Sequence, residues 1–149
     1  MSTSSNQKDA VDSAGISRDT AIALLEAARK ASGTIGFEAA IAVTDIGGHL
    51  KAFERGDGAR FLTAEVAVDK AWTASAFGYG THVWNEIITS TPEAAQLAHR
   101  PRLVAVGGGY PIVRNGVLIG GIGISGGTAL QDQQACEAAL KSLGFDVAA

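Results

Sequence analysis

Lys70 stands in Val68-Asp69-Lys70-Ala71-Trp72-Thr73-Ala74, and helical spacing puts Val66, Ala67 and Ala74 one turn away. A lysine in so apolar a setting can lose its proton and act as base or nucleophile. If it keeps the proton it needs a carboxylate, and Glu65, Asp69 and Asp45 are the candidates. Such a lysine either anchors an anionic ligand or belongs to a structural or interface ion pair. His82, in Tyr79-Gly80-Thr81-His82-Val83-Trp84, lies between two aromatics at a helix start. Because imidazole titrates near neutral pH, it suits a ligand or a general base; a hydrogen-bonded structural histidine is the plainer alternative.

Arg55 in Glu54-Arg-Gly-Asp-Gly-Ala-Arg60 brings a guanidinium to a glycine turn, with Arg60 close by. It can clamp a carboxylate through two parallel hydrogen bonds, or simply sit in a solvated turn. Tyr110, after three glycines, either lines the same cavity or packs in a hairpin. His49 follows a turn, and His99 lies beside Arg100. Lys70, His82, Asp45 and Glu65, if gathered by the fold, would suit proton transfer next to the carbonyl of a small acid. The sequence has no G-x-S-x-G elbow, H-E-x-x-H pair or P-loop. With one cysteine, Cys136, neither an internal disulfide nor a cysteine metal cluster can form, and no metal site is expected.

Gly121-Ile-Gly-Ile-Ser-Gly126 reads as a dinucleotide fingerprint. Such a loop needs a further strand with an acid about 20 residues on to hold the ribose. Gly144 to Asp146 occupy that position and no strand follows, so a nucleotide cofactor is not expected. Two other uses remain. Ser125, Gly126, Gly127 and Thr128 could present backbone amides to a small anion at the start of the last helix. Otherwise the glycines only make a tight turn. Thr128-Ala-Leu-Gln131 is a T-x-x-Q capping box, and Asp132 in the first turn can itself neutralise that helix end.

These residues need elements to hold them. The 149 residues are 46% apolar and 18% charged, enough for a core. A net charge of −3 offers no basic stripe for nucleic acid. No apolar run is long enough to span a membrane, and the polar start lacks the centre of a secretory signal, so a cytoplasmic protein is expected. Residues 1–15 read as a flexible arm and residues 16–149 as one domain. Ser17 caps a first helix with an Ala21, Leu24, Leu25, Ala28 stripe, ended by Gly33 and Gly36. Residues 38–45 and 49–55 read as strands joined by the Asp45-Ile-Gly-Gly48 turn. A second helix over 62–77 is apolar on more than one side, which predicts a second cover, such as another subunit. Short helices follow around Pro92. Strands are expected at 102–106, 110–114 and 117–124, with Asn115-Gly116 turning the last pair, then a helix from Ala129 to Leu143. Hairpins dominate, so the sheet should be largely antiparallel, with helices packed on it.

The segments VTDIGGHLKAFERGDGA, VDKAWTA, GGGYPIVRNGVLIGGIGISGG and QDQQACEAAL, spread over Ser17 to Phe145, resemble the GlcG/HbpS-like family, also called domain of unknown function 336. The C-terminal domain of PduO-type adenosyltransferases is similar too. The resemblance implies an α/β (α+β) class and a profilin-like, three-layer α/β/α fold, with helices on both faces of a five-stranded antiparallel sheet. It also implies a homo-oligomer and a small-molecule ligand, with haem or cobalamin as the cofactors. The expected pocket joins the Ser125–Thr128 loop, the second helix and the Asp45–Arg55 hairpin. The alternative is a cofactor-independent catabolic enzyme, a lyase or isomerase acting on a small carboxylate or carbonyl compound.

Overall fold

The computed structural model describes residues 9–147. Ser17 Oγ accepts the Thr20 amide and opens α1 (Arg18–Ile35), and Gly36 closes it at φ 115°. Gly33 lies inside this helix and does not end it. β1 (Ala40–Asp45) and β2 (Leu50–Arg55) form the first hairpin, and α2 (Leu62–Phe77) follows with the bounds its apolar pattern predicts. Next come α3 (Thr81–Ser90), the single turn α4 (Pro92–Ala95) and a 3₁₀ turn over Gln96–His99. β3 (Gly109–Arg114) and β4 (Val117–Ser125) are joined through Asn115 and Gly116, whose φ values of 53° and 77° suit a tight hairpin turn. α5 (Ala129–Ser142) starts at the complete Thr128–Gln131 capping box. Residues 9–15 are exposed and form neither helix nor strand; the rest of the expected arm, residues 1–8, lies outside the described residues.

The strands run in the order β2-β1-β4-β3, every neighbour antiparallel. The sheet therefore has four strands among the described residues, not the five expected. Arg102–Val106 is the segment that does not pair. Its polar backbone is satisfied by helix side chains instead: Thr73 Oγ1 donates to Arg102 O and accepts from the Val104 amide, Asn85 Nδ2 donates to Ala105 O, and Thr81 Oγ1 donates to Val106 O. A run rich in β-formers thus becomes a strap over α2 and α3, because those hydroxyls and that amide supply what a neighbouring strand would.

Strand alternation divides the core into two layers. Ile41, Val43, Ile112, Ile122 and Ile124 pack with α1 and α5, whereas Ala40 and Ala42 meet Ala67 and Ala71 of α2. Helices thus cover both faces. Under α2 the central strands β1 and β4 carry almost no side-chain bulk. A Cβ on Gly123 would lie 2.0 Å from Ala67 O, and one on Gly121 2.3 Å from Ala71 O. The glycines that imitate a nucleotide loop let the backbone of α2 rest on the backbone of β4.

Candidate functional site

Lys70 faces the sheet from α2, and its Nζ lies 2.9 Å from both Ile124 O at the end of β4 and Asp132 Oδ2 in α5. The side chains retain 1% and 4% of their solvent exposure. The pair joins helices from opposite faces of the sheet. Burial raises the pKa of the Asp132 carboxyl, and Lys70 opposes that shift. Gly108, at φ 120°, makes room for the pair: a Cβ there would lie 2.7 Å from Asp132 Cβ and 2.8 Å from Nζ. Lys70 thus sits in a buried ion pair with a partner 62 positions away.

None of the expected carboxylates serves it. Asp69 pairs with Arg102 Nε at 3.1 Å, and Glu65 is exposed on α2. Asp45 anchors its own turn: Oδ1 accepts the amides of Gly47 and His49, each at 2.9 Å, and lies 3.2 Å from His49 Nδ1. Its partial burial works upward, but those amides and the His49 ring hold its carboxyl below the usual range. Arg55 Nη1 donates to Ala59 O across the glycine turn. It borders a cleft of about 430 Å³ in which Arg29 already grips Glu54 with two hydrogen bonds. Ser125 is buried where β4 ends. Two amides of the loop beyond it are already engaged: that of Gly127 donates to Asp132 Oδ1, and that of Thr128 to Gln131 Oε1. Those amides are therefore not free for an anion.

His82 has a different setting. It occupies the first turn of α3, with its ring 5.3 Å from that of Tyr110 and tilted by 45°. Its Nδ1 is buried without a hydrogen-bond partner among the described residues. Thr44 Oγ1 and Trp84 Nε1 share that condition, but neither lines the cleft that His82 borders. This cleft of about 450 Å³ runs between α3 and the start of α5. Asn85 and Glu86 line one side, Ala129, Leu130 and Gln133 the other, and the strap from Ala105 to Gly107 forms the floor. Val106 and Leu130 are 46% and 59% exposed there. Gly107 keeps the floor low, since a Cβ would lie 3.2 Å from Ala129 O.

Tyr110 packs behind the cleft. Its hydroxyl donates to Glu137 Oε2 at 2.5 Å, and the same oxygen accepts Gln133 Nε2 at 3.2 Å. Burial, then Glu137, pushes the phenol pKa well up, so it stays a donor. The fold brings His82 and Tyr110 together, while the Lys70 ammonium is engaged by Ile124 O and Asp132. Asp45, Arg55 and Glu65 lie elsewhere. Sequence reading missed Asn85, Glu86, Val106, Leu130, Gln133 and Glu137 as cleft or backing residues. Only the Gln133–Glu137 spacing of one helical turn gave a signal. No group of three or more metal-binding side chains occurs among the described residues, and no helix there is long and apolar enough to cross a membrane.

Residues 16–141 match the family described as haem degrading protein HbpS-like. The chain belongs to the HbpS-like family. This HbpS-like chain is 34% identical to protein GlcG of Escherichia coli K12 over 110 residues, covering 74% of the chain and 81% of GlcG. It is 38% identical to the corrinoid adenosyltransferase PduO of Salmonella typhimurium over 89 residues, 57% of the chain but only 26% of that longer protein. The crystal structure of the PduOC:heme complex superimposes with a TM-score of 0.81 at 29% identity, covering 91% of this chain and 99% of PduOC.

Proposed function

We propose that this HbpS-like protein binds haem or a related tetrapyrrole in the cleft between α3 and α5. The observation that carries the reading is His82: an imidazole at the cleft wall with a buried nitrogen that no protein group satisfies. Buried polar atoms are nearly always paired, and the unpaired Nδ1, which packs beside Gly80, leaves the His82 ring held by no protein hydrogen bond at that nitrogen. The cavity volume lies within the usual range for small-molecule sites. Its lining also fits a flat, largely apolar group, because Ala105, Val106, Ala129 and Leu130 offer apolar walls while Asn85, Glu86 and Gln133 supply a polar edge.

When bound, haem supplies an iron centre that accepts nitrogen ligands. His82 would present the imidazole, Val106 and Leu130 would exclude water from the macrocycle, and Tyr110 would support the His82 ring from behind. The haem complex of PduOC supports this choice of ligand, and the corrinoid activity of PduO makes cobalamin the second tetrapyrrole to test. Titrating the protein with haemin should give a saturable, shifted Soret band that His82→Ala weakens at least tenfold, with cobalamin as a parallel arm. An unsaturable haemin signal, or His82→Ala binding as wild type does, would exclude the reading.

A lyase or isomerase reading keeps fewer groups. Lys70 is engaged by Asp132, leaving His82 and Glu86 as the acid–base pair in the cleft. As for assembly, we read a homo-oligomer from the apolar ground where α2 meets β2. Leu50, Phe53, Ala64 and Val68 line a shallow cleft there, and Phe61 and Leu62 nearby are 81% and 59% exposed. Sedimentation of the intact protein at the mass of one chain would remove that reading.

A further inference from the structure

Glu137 Oε2 lies behind the cleft and accepts from one side chain that lines it and one that backs it. It accepts the Tyr110 hydroxyl, whose ring supports His82, and it accepts Gln133 Nε2, which itself lines the cleft. Tyr110 is 1% exposed, so its hydroxyl cannot exchange this acceptor for bulk water. Gln133 and Glu137 are one turn apart on α5, a rigid element fixed by its capping box and by the Lys70–Asp132 pair. The neighbours of Glu137 on α5 are otherwise apolar on the buried side, where Cys136 donates its thiol to Gly108 O and Leu140 packs in the core.

We propose that Glu137 and Tyr110 are positioning residues for the His82 cleft. Glu137 fixes the Tyr110 ring against His82 and, through its second hydrogen bond, the Gln133 amide on the facing wall. One carboxylate thereby sets the orientation of side chains on both α3 and α5 without touching a ligand. This rests on the cleft being the binding site, but the geometry it asserts holds in the ligand-free protein and can be read there.

Tyr110→Phe keeps the ring and deletes the hydroxyl; Glu137→Gln keeps the shape and deletes the charge. Imidazole NMR of the ligand-free protein provides the first readout. His49 and His99, both exposed and remote from Glu137 in sequence, act as internal controls, and His82→Ala assigns the third signal. Both variants should move or broaden the His82 signal and leave those of His49 and His99 in place. Haemin affinity should fall about tenfold in the same variants, as for loss of groups that orient a ligand-bearing histidine. A merely structural role predicts a lower Tm with the His82 signal unchanged, and that result in either folded variant overturns the proposal. If the wild type binds no haemin yet the His82 signal still moves, the tetrapyrrole reading fails and the positioning role stands.

Discussion

Lys70 Nζ lies 2.9 Å from Asp132 Oδ2, with both side chains nearly sealed from solvent, and the pair ties α2 to α5 across the end of β4. An ammonium here is compensated by a carboxylate and a carbonyl together. Asp132 in turn holds the Gly127 amide with its other oxygen. Removing one partner leaves an uncompensated buried charge.

Lys70→Met or Asp132→Leu should therefore lower stability by about 3–5 kcal/mol, measured by urea unfolding. The double variant Lys70→Met/Asp132→Leu should recover much of that loss, since an apolar pair carries no desolvation cost. Additive losses in the double variant would show that the two residues act independently.

The glycines of β4 give a second contrast. Gly123→Ala drives a methyl toward Ala67 O, so α2 must shift, at about 1–3 kcal/mol or more. Gly33→Ala, inside α1 with open space around it, should instead stabilise by about 0.5–1 kcal/mol. Thermal unfolding of the two variants should thus shift in opposite directions; equal shifts would reject the close helix–sheet contact.

Asp45 gives the fold an acid-sensitive turn. Because its folded-state pKa is depressed, its stabilisation is fully present above the ordinary carboxylate range and is lost as pH falls through the folded value. The stability advantage of wild type over Asp45→Asn should be constant near neutrality and shrink in acid. An advantage that persists unchanged through the acid limb would contradict the hydrogen-bonding account of this turn.

Local rules carried most of the architecture. The apolar run of α2, the Ser17 cap, the Thr128–Gln131 box and the Asn115-Gly116 turn all depend on neighbours within a few positions, and each appears as read. Failures occurred where a partner is distant. Arg102–Val106 has the composition of a strand, but Thr73, Thr81 and Asn85 take its hydrogen bonds from 20 to 31 positions away. Likewise, Asp132 was visible as a helix-end charge, but nothing local joined it to Lys70. The His82 cleft was half legible: a histidine and a tyrosine could be singled out, whereas the strap beneath them and Glu137 behind them emerge only from tertiary packing.

The most direct test of the tetrapyrrole site is a crystal structure of the protein grown with haemin. The account predicts planar density between α3 and α5, bounded by His82, Val106 and Leu130. Density seated instead by Arg29 and Arg55, or over Leu50 and Phe53, with the His82 cleft vacant, would contradict it.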